Sequence, residues 1–207
     1  MKLAIVDYGM GNIHSLKSAI FKINPYIEMS LTNDCEILAK SKAILLPGVG
    51  HFGAATERLR EHGLITCLRH LVLEKQIPIL GICLGMQLLF NQSEESPGDE
   101  GLGLIPGDVT RMVSGKHKIP HIGFNSVDIN NQGKMYQKVP TSDFYFVHSF
   151  SVTDVHNEDV LCSRCSYNAS FVASVEYRHI WGTQFHPEKS QNSGLKIIKN
   201  FLKTYVN

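Results

Sequence analysis

Three short apolar runs, separated by segments of helical periodicity, constrain the fold of this chain most strongly. The runs are residues 2–6, 43–46 and 77–82. Between them, residues 12–23 carry apolar side chains at helical spacing, and residues 53–75 are predicted to be helical with a break at Gly63. Continuous apolar strands that alternate with helices are typical of a parallel sheet covered on both faces. We therefore expect an α/β fold with an open, mostly parallel sheet flanked by helices.

The second half of the chain has a different pattern. Short strand candidates separated by turn residues lie at 109–112, 126–129, 143–147, 160–162, 171–175 and 180–185. They suggest antiparallel strands added to the same domain, and residues 191–205 are predicted to form a final amphipathic helix. The polar stretch 91–101 is interpreted as a surface loop and not as a linker. The whole chain, residues 1–207, is predicted to be a single domain.

Composition excludes several classes of function. The 207 residues carry a formal net charge of +1, which gives no electrostatic reason to expect nucleic acid or an anionic membrane as a partner. No apolar run approaches the roughly 20 residues of a membrane span. The first apolar stretch is too short for a signal peptide and ends at Asp7, so we expect a cytoplasmic protein.

The cysteines favour the same compartment. There are five, an odd number at irregular spacing, which argues against a disulfide framework and for a reducing environment. Cys162 and Cys165 have C-x-x-C spacing, but no second pair completes a zinc site and no helix start follows them. We interpret them as incidental, and we expect neither a metal nor an organic cofactor.

The stretch Gly81–Gly85, Gly-Ile-Cys-Leu-Gly, is predicted to be the reactive turn. It follows an apolar strand and precedes a helix-like segment, Met86–Phe90, as in a nucleophile elbow. Glycines fill flanking positions where the sharp turn leaves no room for side chains. Cys83 would then lie at a helix N-terminus, where free N–H groups favour a thiolate and a developing oxyanion. A buried structural cysteine is the alternative for any single Cys.

A base and its orienting group are predicted at His186-Pro187-Glu188. His186 would emerge at the carboxyl end of the last strand, with Glu188 two residues further on the same side of an extended backbone. Pro187 fixes φ between them. Glu188 could then hold the imidazole tautomer that faces Cys83. Taken alone, this tripeptide could simply end a strand.

Two segments resemble the signatures of the triad-type class I glutamine amidotransferases. They are Gly-Ile-Cys-Leu-Gly-Met-Gln at 81–87 and Gln-Phe-His-Pro-Glu-Lys-Ser at 184–190. The segments 7–12, 47–50, 120–125 and 145–149 resemble one branch of that family, the glutaminase subunits of imidazole glycerol phosphate synthases. The likeness covers nearly the whole chain and implies a flavodoxin-like fold.

The resemblance implies a role for each matching residue. Cys83 would attack the glutamine amide, His186 would move protons, and Glu188 would orient His186. One oxyanion donor would be the N–H of Leu84, and another would come from the loop Gly48, Val49 and Gly50. Gln87 and the backbone at Ser149 and Phe150 would help to hold glutamine. Without the resemblance, the loop would be an ordinary strand-ending turn and Gln87 a surface residue.

The resemblance also implies a partner. Ammonia from glutamine would pass to a (β/α)₈-barrel cyclase in a heterodimer that makes imidazole glycerol phosphate and AICAR in histidine biosynthesis. The segments that match the family's interface supply these residues: Tyr8, Met10, Asn12, His121, Phe124, Asn125 and Lys189. Tyr8, Met10 and Phe124 would suit its dry core. The alternative for Phe124 is a place in the strand core.

Three other functions stay open at the level of sequence. The first is a cysteine protease or other Cys-hydrolase that uses the same triad. The second is a non-catalytic subunit that only binds a partner. The third is a paralogous glutaminase that feeds ammonia to a sugar-modifying synthase of surface polysaccharide assembly. Phe124 stands where the family usually has Trp, which puts the identity of the partner in question more than the chemistry.

Overall fold

The fold is described from a computed structural model, which covers residues 2–206. Its helices are α1 (Ile13–Ile23), α2 (Cys35–Ala39), α3 (Phe52–Glu61), α4 (Leu64–Leu73), α5 (Leu84–Gln87) and α6 (Gln191–Tyr205). The strands of the first half are β1 (Leu3–Val6), β2 (Met29–Thr32), β3 (Ala43–Gly48), β4 (Ile79–Cys83) and β5 (Gln92–Ser93). Those of the second half are β6 (Gly107–Arg111), β7 (His121–Asp128), β8 (Asp143–His148), β9 (Phe150–Val155), β10 (Leu161–Tyr167), β11 (Ala169–Tyr177) and β12 (Ile180–Thr183).

Nine strands form one sheet in the order β2-β1-β3-β4-β12-β11-β10-β7-β8. The pairings among the first five of these strands are parallel, and the other four strands continue the sheet in antiparallel pairs. Strands β5, β6 and β9 form a separate small sheet. The predicted fold class is confirmed. That residues 1–207 are one domain stays a prediction, and residues 1 and 207 lie outside the described part of the chain.

Both faces of the parallel sheet are buried, as its continuous apolar strands predict. Along β1, Leu3 and Ile5 belong to one hydrophobic cluster, and Ala4 and Val6 belong to the other. Helix α6 covers the first cluster through Ile198, Phe201 and Leu202. Helices α3 and α4 cover the second, so the sheet lies between two helical layers.

The helices predicted at 12–23, 53–75 and 191–205 agree closely with the structure, and the strands of the second half agree less well. Asp34 caps α2 by accepting a hydrogen bond from the backbone N–H of Glu36, and the break at Gly63 separates α3 from α4. Strand β9 was not predicted. Its residues, Phe-Ser-Val-Thr-Asp-Val, mix buried and half-exposed positions without strict alternation, so their periodicity is weak.

The prediction that the cysteines stay unpaired is wrong for Cys35 and Cys67, which form a disulfide. They lie in α2 and α4, 32 residues apart, with Cα atoms 6.0 Å from each other. Only the packing of these two helices brings them together, so sequence spacing gave no signal. Cys162 and Cys165 are free and lie in β10. Burial raises the pKa of the Cys165 thiol to about 12, which suits an inert core cysteine.

None of the helices formed by residues 2–206 is both long enough and apolar enough to cross a bilayer.

Candidate active site

Cys83 ends β4, in the middle of the parallel strands, and occupies a strained backbone conformation. Its φ is 55° and its ψ is −110°, outside the usual region for a residue with a side chain. A Cβ added to Gly81 would lie 2.6 Å from the carbonyl oxygen of Gly85, and one added to Gly85 would overlap the carbonyl oxygen of Leu46. Neither position accepts a side chain, as a nucleophile elbow requires. Such strain is typical of functional residues.

The helix after Cys83 is shorter than its sequence predicts. Helix α5 is a single turn that begins at Leu84, and the chain leaves it before Phe90. A single turn has only a small macrodipole, so the predicted stabilisation of the thiolate and the oxyanion by a helix dipole is small here. The N–H of Leu84 is still the first in the helix, where backbone donors have no partner within the helix.

His186 and Glu188 form a buried pair. Nδ1 of His186 lies 2.8 Å from Oε1 of Glu188, and their side chains are 1% and 3% exposed. The predicted reason for their contact is wrong, because residues 187–189 form a 3₁₀ turn and not extended backbone. Ser190 fixes that turn by donating its hydroxyl to the carbonyl oxygen of His186, at 2.7 Å.

Sheet register brings this pair to Cys83. Strand β12 runs parallel to β4, with Thr183 beside Ile82, so Gln184 follows at the level of Cys83 and His186 lies just beyond. The carboxyl ends of β3, β4 and β12 therefore meet at one edge of the sheet, the usual place for sites in open α/β folds.

The electrostatics of His186 favour its charged form. Burial lowers its pKa, but the hydrogen bond to Glu188 and the interactions with Glu188 and Cys83 outweigh that and raise the pKa to about 10. Nδ1–H donates to Glu188, while Nε2 is buried and has no hydrogen-bond partner among residues 2–206. The ring can therefore hold a proton beside the cleft and release it to a group bound there.

A small cleft of about 160 Å³ opens in front of Cys83 and His186. Six predicted oxyanion or substrate residues line it together with the two catalytic candidates: Val49, Gly50, Leu84, Gln87, Ser149 and Phe150. Gly48 lies behind the wall, where an added Cβ would come within 2.9 Å of the backbone nitrogen of Gly85. Glu188 lies behind His186 and lines a second, smaller cavity.

Gln87 is not the surface residue that its helix alone would suggest. It is 4% exposed, and its Nε2 donates to the carbonyl oxygen of Phe150 at 2.9 Å and to Oε1 of Gln184 at 3.0 Å. Its amide donors are thus used within the protein, so any hydrogen bond between this side chain and a ligand would be accepted by its Oε1.

Sequence reasoning missed Glu95 as a residue of the site. It lines the cleft, and its Oε2 accepts a hydrogen bond from the backbone N–H of Phe52 at 2.8 Å, at the start of α3. The polar loop 91–101 was interpreted as surface, and nothing local in the sequence shows that it folds back over the cleft.

Two buried histidines support the far wall of the cleft. Nδ1 of His148 lies 2.9 Å from the carbonyl oxygen of Phe150, and its Nε2 lies 3.2 Å from Nδ1 of His121. Burial is the main cause that lowers the pKa of His121 to about 4 and of His148 to about 3. Both rings are therefore neutral at pH 7. Nδ1–H of His148 then donates to Phe150, and Nδ1–H of His121 donates to His148.

Acid is expected to destabilise the fold through these rings. Their pKa values are lower in the folded than in the unfolded state, so between about pH 6.5 and 3 the unfolded chain binds protons that the folded chain excludes. When the pH falls from 7 to 5, His148 alone should lower the free energy of unfolding by about 2 kcal/mol. Urea unfolding at both pH values measures this loss, and His148→Gln should reduce it.

His186, with its raised pKa, acts in the opposite direction and gains a little stability over this pH interval. The difference between the wild-type and His148→Gln chains isolates the His148 contribution. Parallel stability curves for the two proteins would contradict the prediction.

The predicted partner residues fall into two groups. Phe124 is 51% exposed and packs edge-on against Tyr145, and Nζ of exposed Lys189 lies 5.6 Å from the centroid of the same ring. Met10, Asn12 and Asn125 are half-buried. Tyr8 and His121 differ from these five residues, because both are buried.

Tyr8 and His121 are 1% and 2% exposed, so neither presents contact area on the surface of the chain alone. The hydroxyl of Tyr8 donates to the carbonyl oxygen of Pro47 at 2.9 Å, behind the cleft wall. The ring of His121 is stacked between Phe146 and Tyr167. Both side chains are used inside the fold.

Comparisons with known proteins agree with this geometry. Residues 4–205 match the family profile described as Glutamine amidotransferase class-I. The chain is similar to the imidazole glycerol phosphate synthase subunit HisH of Moorella thermoacetica, with 40% identity over 96% of this chain and 93% of that protein. It is similar to subunit HisH 1 of Campylobacter jejuni (strain RM1221), with 44% identity over 97% and 99%.

Solved structures share the fold. A crystal structure of a glutamine amidotransferase superposes with a TM-score of 0.76 over 97% of both chains, at 19% identity. A chain from the structure of PurLQS of Thermotoga maritima superposes with a TM-score of 0.72 over 98% of both chains, also at 19% identity.

Proposed function

The chain belongs to the class-I glutamine amidotransferase family, and from that membership we propose that Cys83, His186 and Glu188 release ammonia from glutamine. The enzyme is the glutaminase subunit of an imidazole glycerol phosphate synthase, which acts in histidine biosynthesis, as its relatives at 40–44% identity indicate. The observation that carries the chemistry is the strained Cys83 in one cleft with the buried His186–Glu188 pair.

The geometry supports a two-step hydrolysis. The thiolate of Cys83 attacks the side-chain amide carbon, and the carbonyl oxygen becomes an oxyanion that accepts hydrogen bonds from Leu84 N–H and from the Val49–Gly50 loop. His186 protonates the nitrogen, and the C–N bond breaks to give ammonia and a glutamyl thioester. His186 then takes a proton from water, which attacks the thioester and releases glutamate and Cys83.

The polar groups that line the cleft suit the amino-acid part of glutamine. Oε1 of Gln87 and the carboxylate of Glu95 are acceptors for the α-ammonium group, and the backbone at Ser149 and Phe150 forms the opposite wall. Glu95 is held in place by its bond to Phe52. A small cleft lined by one carboxylate favours a free amino acid over a peptide chain and disfavours the protease alternative.

The product requires a partner enzyme. Ammonia released into bulk water becomes ammonium, which is a poor nucleophile, so it must pass directly to a second active site. The partner is a (β/α)₈-barrel cyclase that forms a heterodimer with this chain and converts a phosphorylated ribulosyl intermediate to imidazole glycerol phosphate and AICAR. Phosphorylated intermediates of this kind do not cross membranes, which supports a cytoplasmic location.

The partner surface is formed by exposed apolar side chains of β7 and of the cleft wall. Ile122 and Phe124 are 60% and 51% exposed on one side of β7, and Val49, on the cleft wall, is 38% exposed. Met10 contributes apolar surface beside the same wall, since a Cβ on Gly50 would come within 2.9 Å of its terminal methyl. Apolar side chains of this exposure suit the centre of an interface, with Lys189 at its border. A partner that covers Val49 would contact the loop that supplies the second oxyanion donor.

Glutamate formation should therefore depend on the partner. The isolated chain is expected to turn over glutamine slowly, and the cyclase with its own substrate should raise the rate by preferring the active state. Phe124→Ala should weaken the complex roughly tenfold, as truncation of a buried interface aromatic does. Calorimetric titration with the cyclase and a coupled glutamate assay measure both effects.

The matched control is Tyr26→Ala, which truncates an aromatic side chain that is 93% exposed before β2, at the opposite edge of the sheet. It should leave partner affinity unchanged, whereas Lys189→Ala should weaken the complex or the transfer of ammonia. Full glutamine turnover by the chain alone, with no response to the cyclase, would contradict the proposed coupling. Cleavage of peptides in place of glutamine would contradict the proposed substrate.

A further inference from the structure

The side-chain amide of Gln184, which is buried like that of Gln87, lies beside the sulfur of Cys83. Its side chain is 0% exposed, and its backbone N–H donates to the carbonyl oxygen of Ala173 at 2.8 Å. Its Nε2 lies 3.8 Å from Sγ of Cys83, within hydrogen-bonding reach of sulfur. Its Oε1 accepts a hydrogen bond from Nε2 of Gln87 at 3.0 Å.

The orientation of this amide is fixed by its neighbours. Nε2 of Gln87 lies between two acceptors, the carbonyl oxygen of Phe150 and Oε1 of Gln184. A flipped Gln87 would place its own oxygen against the Phe150 carbonyl oxygen, which is unfavourable in a buried site. Gln87 therefore presents a donor to Gln184, and Gln184 must turn its oxygen toward Gln87 and its N–H₂ toward the sulfur.

This polarity distinguishes the two protonation states of Cys83. The carbonyl oxygen of Val147 also lies near Sγ, at 4.0 Å, and it can only accept a hydrogen from the thiol. The N–H of Gln184 is a donor, so it is attracted most strongly to a negative sulfur. A buried donor of this kind stabilises the charged form of the group it contacts, and in a low dielectric its effect is larger than in water.

We propose that Gln184 is a further catalytic residue, which donates a hydrogen bond to the Cys83 thiolate, and that Gln87 is a positioning residue that fixes the direction of this donor. The proposal rests on the proposed function, in which Cys83 is the nucleophile. It gives Gln87 a task besides contact with substrate, and it assigns to the thiolate a neutral donor that does not depend on the protonation of His186.

Two substitutions of Gln184 test the proposal. Gln184→Met keeps most of the volume and removes the donor, and Gln184→Asn keeps an amide but withdraws it by one methylene from the sulfur. Thr183→Val is the control, because the hydroxyl of Thr183 is buried in the adjacent position and has no hydrogen-bond partner among residues 2–206. Circular dichroism and thermal unfolding verify that each variant is folded.

The decisive readout is the pH dependence of iodoacetamide alkylation at Cys83, quantified on its own peptide by mass spectrometry. The loss of one hydrogen bond to a charged group should raise the pH midpoint by about one unit in both Gln184 variants. In the complex with the cyclase, kcat for glutamine should fall roughly 10- to 100-fold, with KM changed less than about threefold. Thr183→Val should leave the midpoint and kcat unchanged.

A merely structural role for Gln184 gives a different result. Folded Gln184→Met and Gln184→Asn proteins with an unchanged alkylation midpoint would overturn the proposal, whether or not kcat falls. If Gln184→Met does not fold, the alkylation midpoint of Gln184→Asn alone decides between the two roles. Retention of glutamine turnover by Cys83→Ser would instead reject the proposed function. If Cys83 is essential but both Gln184 variants keep the wild-type alkylation midpoint, only the role of Gln184 is rejected.

Discussion

Cys83→Ser is expected to abolish glutamine-dependent synthesis by the assembled enzyme and to leave ammonium-dependent synthesis intact. The serine hydroxyl in the same strained turn is a far weaker nucleophile than a thiolate, because it is not ionised there. Loss of a triad nucleophile should lower glutamine turnover at least about 10³-fold. Added ammonium salt supplies ammonia to the cyclase site without hydrolysis, so the second reaction continues.

The measurement is the rate of imidazole glycerol phosphate formation with each nitrogen source. Cys162→Ser is the matched control, since Cys162 is a free, half-buried cysteine in β10 and does not line the cleft. It should retain both activities. Equal loss of both activities in Cys83→Ser, with the complex intact, would contradict the assignment of Cys83 as the glutaminase nucleophile.

His186→Ala is expected to be nearly as damaging. Without the imidazole, neither the departing ammonia nor the attacking water exchanges a proton with the protein. The loss of such a group typically costs about 10² to 10⁴ in rate. Glu188→Gln should have a smaller effect, because the amide oxygen can still accept from Nδ1–H while the charge that raises the pKa of His186 is lost.

Glutamate release by the complex measures both variants. The control is His70→Ala, which breaks a surface pair of similar geometry, with His70 Nδ1 3.0 Å from Oε2 of Glu74. It should leave the rate unchanged. A fully active Glu188→Gln enzyme would mean that Glu188 only shapes the end of the strand.

The parts of the structure that depend on local pattern were predictable from the sequence. Glycines at 81 and 85 indicated the turn because no other residue fits there, and the structure gives the same reason in two close backbone approaches. The bounds of α6 follow from its apolar periodicity. His186 and Glu188 were found together because they are neighbours in the chain, although the 3₁₀ turn that joins them was not predicted.

The residues that were missed or misplaced depend on contacts between distant segments. Gln184 acquires its contact with Cys83 from the register of β12 against β4. Glu95 reaches the cleft because a polar loop folds over α3. Tyr8 has an aromatic side chain suited equally to an interface and to a core, and only the position of β3 decides between them. The Cys35–Cys67 pair depends in the same way on the packing of two helices.

The most direct test of the account follows one nitrogen atom. The complex is supplied with glutamine labelled with ¹⁵N in its side-chain amide, together with unlabelled ammonium chloride at the same concentration. If the Cys83 cleft delivers ammonia directly to the cyclase, the imidazole product carries the ¹⁵N label and one glutamate forms for each product molecule. A product whose label is diluted to the composition of the bulk ammonium pool, or one that forms without consumption of glutamine, would contradict the account.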